Sequence, residues 1–146
     1  MGLLLITTKG RYALYMLIDL AEHQADGIVP LKEVVKRLEI SEKYLEAIMK
    51  VLVKNGVVTG TRGKGGGYRF NQSAEQVTVG DILRMTEDSL ASVSCLEESA
   101  AACPRAAQCR TLPLWQGLDR VIQEYLDQYT IADLMRFGQP GDDYVI

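Results

Sequence analysis

The sequence is poor in the features that mark membrane-spanning and secreted proteins. No apolar run among its 146 residues approaches the roughly 18–20 residues that a membrane span needs. The first charges follow the apolar stretch "GLLLI", whereas a signal peptide carries its positive charges before such a stretch. We therefore expect a cytoplasmic protein that makes no membrane contact.

Histidine is also scarce, and this argues against catalysis. A nucleophilic cysteine needs a nearby base, and His23, the only histidine, is far in sequence from the cysteines. No Ser/His/Asp set or carboxylate pair stands out, and the glycine-rich "GTRGKGGGY" departs from the Walker pattern of phosphate-binding loops. The sequence predicts a protein that is not an enzyme.

Positive charge is concentrated in the first half of the chain. The net charge is −3, yet residues 1–72 hold eleven Lys and Arg against seven Asp and Glu, and residues 73–146 hold five against twelve. A basic half on an acidic chain indicates that this half meets a polyanion. Chance segregation of solvated charges is the alternative.

Apolar spacing and turn signals predict a mainly α fold with a small β-wing. Three helical segments, "TTKGRYALYMLIDLAEHQ", "LKEVVKRLE" and "ISEKYLEAIMKVLVKNG", precede two β-type segments around the loop "TRGKGGG". Thr7 or Thr8 can cap the first helix and Ser41 the third, which ends at Asn55 and Gly56. This is the order of a winged helix-turn-helix domain.

The later segment "LPLWQGLDRVIQEYLDQYT" has a heptad-like apolar seam. Its members, spaced alternately three and four residues apart, are Trp115, Leu118, Ile122, Tyr125 and Tyr129. This helix can pack on its own domain, but a small winged domain leaves it little core to cover, which favours a homodimer seam.

We therefore expect four regions. They are a winged helix-turn-helix DNA-binding domain at 1–88, a cysteine-containing sensor loop at 89–110, a dimerisation helix with a short C-terminal helix at 111–137, and a tail at 138–146.

The second helix of a helix-turn-helix lies in the major groove, so its first residues face base edges. Here the residues at that end are Ser41, Lys43, Tyr44 and Glu46, and the lysines further along that can hold phosphates are Lys50 and Lys54. The loop between the β segments carries cations around three glycines, a composition that suits a minor groove or a phosphate pair. Those cations are Arg62, Lys64 and Arg69. A plain surface hairpin is the alternative.

All three cysteines, Cys95, Cys103 and Cys109, fall in the segment "SCLEESAAACPRAAQCR" with the spacing C-x7-C-x5-C. Where thiols are kept reduced, clustered cysteines bind metal or sense redox state more often than they form structural disulfides. A metal site, a redox-sensing thiol set and inert loop residues all remain open.

Five segments, in this order and spacing, resemble the Rrf2 family of winged-helix regulators, the family of IscR, NsrR and CymR. They are "TTKGRYALYMLIDLA", "ISEKYLEAIMKVLVKNGVV", "RGKGGGYRF", "VTVGDILRMTE" and "LWQGLDRVIQEYLDQYTIADL". The resemblance covers roughly residues 6–136. It implies a homodimeric, sequence-specific transcription regulator that binds a pseudo-palindromic operator in double-stranded DNA.

The same resemblance implies which residues contact DNA. The positions that contact bases in the major groove in the family are occupied here by Lys43, Tyr44 and Glu46. The positions of the wing that enters the minor groove are occupied by Arg62, Gly65 and Gly66. The positions of the N-terminal segment near the DNA backbone are occupied by Lys9, Arg11 and Tyr12.

In cluster-binding members of the family, three cysteines at this place ligate iron and sulfide. The resemblance thus implies that Cys95, Cys103 and Cys109 hold an iron–sulfur cluster, of the 2Fe–2S type. The first gap is two residues longer than the commonest family pattern. Leu112 and Arg11 stand where members carry a histidine or a carboxylate as fourth ligand. The fourth ligand is then a nearby carboxylate or a small-molecule thiol, or the cluster has no fourth ligand.

The final residues "GDDYVI" look like the C-terminal peptide of serine acetyltransferases, whose terminal Ile enters the active site of O-acetylserine sulfhydrylase. An extended tail can be captured with its carboxylate in an anion nest. The predicted contacts to that enzyme are Asp143, Tyr144, Val145 and Ile146. This leaves a second function open, a metal-free, CymR-like repressor of cysteine metabolism. Packing of the tail on its own dimer is the alternative.

Overall fold

The computed structural model describes residues 6–138, which are mainly helical. In chain order the elements are α1 (Thr8–His23), α2 (Leu31–Leu38), α3 (Glu42–Lys54), β1 (Val58–Thr61), β2 (Gly67–Phe70), α4 (Val79–Thr86), α5 (Leu112–Gln128) and α6 (Ile131–Phe137). Single 3₁₀ turns lie at Gln24–Asp26, Ser94–Leu96 and Ala106–Gln108. The predicted fold class, mainly α with a two-stranded wing, is confirmed.

Helices α1 and α3 supply much of the buried core. Both begin as predicted, because the Thr7 side chain accepts from the N–H of Gly10 and the Ser41 side chain accepts from that of Tyr44. Their most deeply buried apolar residues are Ala13, Met16, Leu17, Leu20, Leu45, Ile48, Met49 and Leu52. Burial of each larger side chain contributes about 1.5–3 kcal/mol, so these two helices hold the domain together.

An ion pair between a buried carboxylate of α1 and a partly exposed arginine links α2 to α1. Asp19 on α1 is 5% exposed, and its two carboxylate oxygens accept hydrogen bonds of 2.8 and 2.9 Å from Nε and Nη2 of Arg37 on α2. The hydrogen bond to Asp19 is the main cause that raises the pKa of Arg37 above its ordinary value. The pair adds to the apolar attachment of α2, in which Val34 is fully buried and Leu31, Val35 and Leu38 pack against the core.

The wing is an antiparallel hairpin of β1 and β2 that is anchored to the turn before α2. Val58 pairs with Phe70 within the hairpin. Val29 forms a bridge with Tyr68, exchanging backbone hydrogen bonds of 2.9 and 2.8 Å. The position of the wing is therefore tied to that of the helix-turn-helix.

The chain returns to the winged domain after α5. Thr130 caps α6, and Ile131 is fully buried in the same core as α1 and α3. The N–H of Val79 donates to the carbonyl of Tyr129, and the N–H of Ile131 donates to that of Val77. The short C-terminal helix is thus packed into the winged domain, while none of the residues of α5 is fully buried.

Within residues 6–138, no helix combines the length and the apolar character that crossing a bilayer requires.

We predict that Arg37→Met lowers the free energy of unfolding by about 2 kcal/mol, because the buried Asp19 carboxylate loses its charged partner and keeps its desolvation cost. Urea denaturation followed by circular dichroism measures the change. Lys36→Met, at an exposed neighbouring position of α2, is the control and should change stability by less than about 0.5 kcal/mol. Equal losses in the two variants would contradict the assigned role of the pair.

Candidate nucleic-acid interface and cysteine segment

A groove of about 700 Å³ runs between α3 and the wing, on the basic half of the chain. The cations that line it are Lys32, Lys50, Lys54 and Arg62. Glu42 and Glu46 add two carboxylates on the α3 side. The groove therefore combines groups that hold phosphates with groups that accept hydrogen bonds from base amino groups.

The first turn of α3 directs polar side chains to solvent. Lys43 and Glu46 are exposed. Ser41 uses its oxygen to cap the helix, 3.3 Å from the N–H of Tyr44, so its hydroxyl can still donate to an outside acceptor. Tyr44 is half-buried and stands edge-on to Tyr12 of α1, with ring centroids 5.6 Å apart. This contact brings the predicted DNA-facing ends of α1 and α3 together.

The glycines of the wing tip are required by the hairpin itself. Gly65 has a φ of +79°, a conformation that residues with a side chain rarely adopt. A Cβ at Gly66 would overlap the backbone oxygen of Thr61. Arg62 and Lys64 are exposed at this tip, so two cations stand where there is otherwise little side-chain bulk.

A carboxylate from the end of α4 fixes the amino terminus of α1. Glu87 Oε1 accepts hydrogen bonds from the N–H and the hydroxyl of Thr7, at 3.0 and 2.9 Å. It lies against Gly10, where a Cβ would overlap this oxygen. Lys9, half-buried, and Arg11, exposed, lie in the helical turn that Glu87 holds. The predicted backbone-contacting segment therefore has a defined support.

The three cysteines lie in the loop between α4 and α5. Cys95 and Cys103 are exposed and Cys109 is half-buried. Among the described residues, no group of three or more His, Cys, Asp or Glu side chains is placed to hold a metal ion. His23 Nδ1 lies 2.8 Å from the backbone oxygen of Asp19 at the end of α1. The arrangement as described does not fit a cluster, which requires the loop to bring the thiols together.

Cys109 is distinguished by its surroundings. Its Sγ lies 3.5 Å from the Thr111 hydroxyl, which donates to the thiolate, and the N–H groups of Thr111 and Leu112 add to this at the start of α5. These hydrogen bonds lower the pKa of Cys109 below the ordinary value of a thiol. Cys109 is therefore suited to react as a thiolate.

An exposed apolar stripe on α5 overlaps the predicted seam. Its members, between 39% and 63% exposed and spaced four, three and four residues apart, are Leu114, Leu118, Val121 and Tyr125. The predicted seam shares Leu118 and Tyr125 with this stripe, and its half-buried members are Trp115, Ile122 and Tyr129. Tyr129 packs against Phe137 of α6, with ring centroids 5.8 Å apart. The dimer contacts themselves stay a prediction.

Sequence reasoning missed two contributors to this surface. Lys32 lines the groove from α2, and the crossing of the DNA backbone by the first helix of a helix-turn-helix is the signal that points to it. Glu87 is separated from Thr7 by 80 positions, and no local pattern reveals that contact. The predicted tail contacts lie outside the described residues; they are Asp143, Tyr144, Val145 and Ile146.

Comparisons with known proteins agree with this geometry. The family model Rrf2, described as an iron-dependent transcriptional regulator, matches residues 6–136. Protein rrf2 of Nitratidesulfovibrio vulgaris (strain Hildenborough) is 40% identical over 131 residues, 90% of this chain and 87% of that protein. The structure of T. potens IscR has a TM-score of 0.70 at 32% identity and covers 97% of this chain and 93% of its own. The structure of CymR, the global cysteine regulator of B. subtilis, has a TM-score of 0.74 at 33% identity. The match covers 94% of this chain and 100% of the CymR chain. The family resemblance is confirmed.

We predict that Thr111→Val slows alkylation of Cys109 at pH 7 by about twofold to tenfold in the metal-free protein, because the thiolate loses its hydroxyl donor. In the wild type the pH midpoint of alkylation should lie below the ordinary thiol value of about 8.5, and in the variant it should move up. Mass spectrometry of iodoacetamide-treated peptides measures each cysteine separately, with Cys103 as the internal control. An identical midpoint for Cys109 in both proteins would show that the hydroxyl has no effect.

Proposed function

The chain belongs to the Rrf2 family of transcriptional regulators, and on that premise we propose that two copies bind a pseudo-palindromic DNA operator and respond to the chemical state of the cysteine loop. The protein is a DNA-binding regulator and not an enzyme, as its relatives include regulators named IscR and CymR. The main support for this proposal is the groove between α3 and the wing, which is lined by cations.

In the proposed complex α3 lies in the major groove with its amino-terminal end at the base edges. A lysine suits the acceptors of guanine and a glutamate the amino group of cytosine, which are the roles of Lys43 and Glu46. Lys50 and Lys54 line the groove further along α3, where they hold phosphates. Specific and non-specific contacts thus come from successive turns of one helix.

The wing and the start of α1 extend this contact to the flanking backbone. Arg62, on the wall of the groove, and Lys64, at the tip, enter the minor groove or hold phosphates. Lys9 and Arg11 reach the backbone from the turn of α1 that Glu87 supports. Together these elements explain why positive charge is concentrated in residues 1–72.

A second copy of the chain covers the exposed stripe of α5. The spacing of four, three and four residues is that of helices that pair along their length, and Val121 and Leu114 are each more than 60% exposed in one copy. A twofold axis through this pairing sets two α3 helices on successive major-groove turns, about 34–36 Å apart. That symmetry is the reason to expect a pseudo-palindromic operator.

The cysteine loop connects the DNA-reading domain to the dimer helix. Near its start the N–H of Ser92 donates to Asp119 of α5 at 2.8 Å, and near its end Cys109 lies just before α5 begins. A change of conformation in this loop therefore acts on the relation between α4 and α5. Thiolates are soft ligands that bind iron well, and this chemistry supports iron–sulfur sensing by Cys95, Cys103 and Cys109 once they converge.

A metal-free, CymR-like repressor of cysteine metabolism is the second candidate function. The similarity to the CymR structure and the lowered pKa of Cys109 favour it, because a thiolate can report oxidation without metal. For this second candidate function, O-acetylserine sulfhydrylase captures the tail through its last four residues, Asp143, Tyr144, Val145 and Ile146. A titration of that enzyme with the last ten residues tests the contact, and failure of O-acetylserine to displace the peptide would remove it.

We predict that Lys43→Ala relaxes base preference and Arg62→Ala weakens binding to most sequences, each by about 1–3 kcal/mol. The probe is the duplex that the wild-type protein selects from a randomised library, titrated in a gel-shift assay at fixed salt. Arg136→Ala, an exposed cation of α6, is the matched control and should bind like the wild type. Unchanged affinity and preference in both test variants would show that the docking mode is wrong.

Anaerobic purification with visible absorption and iron and sulfide analysis separates the two candidate functions. Iron–sulfur sensing predicts a coloured protein that bleaches in air and loses iron and sulfide when Cys95, Cys103 and Cys109 are replaced by Ser. The metal-free function predicts a colourless protein with full operator affinity. A colourless protein after reconstitution with iron and sulfide would contradict cluster binding.

A further inference from the structure

Helix α5 contacts the winged domain mainly through α4, and it does so without a deeply buried core. None of the residues from Leu112 to Gln128 is fully buried. Its apolar attachment comes from half-buried Leu126, which packs with the residue that follows the helix, Tyr129, on a small cluster that includes Leu83 and Leu90. Backbone hydrogen bonds hold the chain just after α5, and side-chain polar contacts therefore contribute to the tilt of the helix itself.

The strongest of these polar contacts converge on Arg84 of α4. Its Nη2 donates to Asp127 Oδ1 at 2.6 Å and its Nη1 donates to Gln123 Oε1 at 2.6 Å. Asp127 and Gln123 lie one helical turn apart on α5, so the planar guanidinium contacts two successive turns at once. Asp81 Oδ1, 3.2 Å from Nη2, holds the guanidinium from the α4 side.

The position of Asp127 is restricted from a second direction. Its Oδ1 accepts a hydrogen bond from the Thr78 hydroxyl at 3.3 Å. It also lies against Gly80, where a Cβ would overlap Oδ1. The start of α4 therefore contacts the Asp127 carboxylate closely and restricts its position.

A small change of tilt at this contact displaces the far end of α5 by several ångströms. With 17 residues α5 is about 25 Å long, so a tilt of about 8° moves its far end by about 3.4 Å, one base-pair step. In a symmetric dimer both winged domains are displaced, and the separation of the two α3 helices changes accordingly.

We propose that Arg84, through its contacts to Asp127 and Gln123, sets the separation of the two DNA-reading helices and hence the operator spacer length that the dimer accepts. The inference rests on the proposed function, because it needs a dimer that binds a two-part operator. Arg84 is a positioning residue that acts through α5 and has no part in reading bases.

The winged domain does not depend on Arg84 for its fold. The side chain is 41% exposed, α4 is begun by the capping box of Thr78 and Asp81, and its buried face is formed by Ile82 and Leu83. Replacing Arg84 therefore changes the attachment of α5 and leaves the core in place.

The test measures spacer preference in the full chain. The probes are the duplex that the wild-type protein selects from a randomised library and two derivatives with one base pair inserted or removed at the pseudo-dyad. Fluorescence anisotropy gives the ratio of affinities for the selected and altered duplexes. We expect this ratio to fall by about threefold to tenfold in Arg84→Met, mainly through tighter binding of the altered duplexes relative to the selected one.

Asp127→Asn is the second variant and should shift the ratio in the same direction, since it removes the charge that Arg84 binds. Arg136→Met removes the Arg136–Asp133 pair, which lies within α6 and links no two helices, and should leave the ratio unchanged. Sedimentation and thermal melting confirm that each variant is a folded dimer.

A wild type that binds all three duplexes equally, or variants whose ratios match the wild type, would overturn the inference while the proposed function stands. Uniform weakening on every duplex would also overturn it, as this is the signature of a purely structural role. A wild type that selects no sequence would instead refute the proposed function itself.

Discussion

The proposed dimer depends on an apolar stripe that one copy of the chain leaves exposed. The winged domain completes its own core with α1, α3 and Ile131 of α6, yet α5 exposes Leu114 and Val121 to solvent over more than half of their surface. Exposure of an apolar helix face to water is unfavourable in free energy, and most helical stability in proteins comes from packing of such a face. We propose that pairing with a second copy removes the stripe from water and joins two DNA-reading surfaces into one symmetric unit.

Helix α4 and the residue after it contact both the start of α1 and the helix α5. Glu87, at the end of α4, supports the amino terminus of α1, where the predicted DNA-facing residues begin, and Arg84 of α4 binds Asp127 of α5. The cysteine loop leaves from the end of α4 and returns at the start of α5, next to Cys109. Under the proposed function, chemistry that rearranges this loop acts between the contacts of α4 with α1 and with α5.

Local chemistry made much of the fold predictable from the sequence. Helix caps at Thr7 and Ser41, the end of α3 at Asn55 and the glycine-rich hairpin each depend on residues a few positions apart, and each is found where it was expected. The exact residues of the exposed stripe on α5 were harder to predict, because Leu114 and Trp115 both fit a helical period. Which of them stays exposed depends on how the helix is seated on α4.

Contacts between distant segments were beyond the reach of sequence patterns. Glu87 with Thr7, and Arg84 with Asp127, join positions separated by 80 and 43 residues. The positions of the three cysteine thiols relative to one another could not be predicted either. A loop has no helical or strand period, so its sequence does not show whether its side chains converge, and in the described residues they form no metal-holding group.

Sedimentation equilibrium of the full chain, in the wild type and in Val121→Asp, is the most direct test of the proposed dimer. The proposed dimer predicts twice the chain mass for the wild type and a single chain mass for the variant, with unchanged helical content by circular dichroism. A wild type that sediments as a single chain, or a dimer that persists with a carboxylate at position 121, would contradict it.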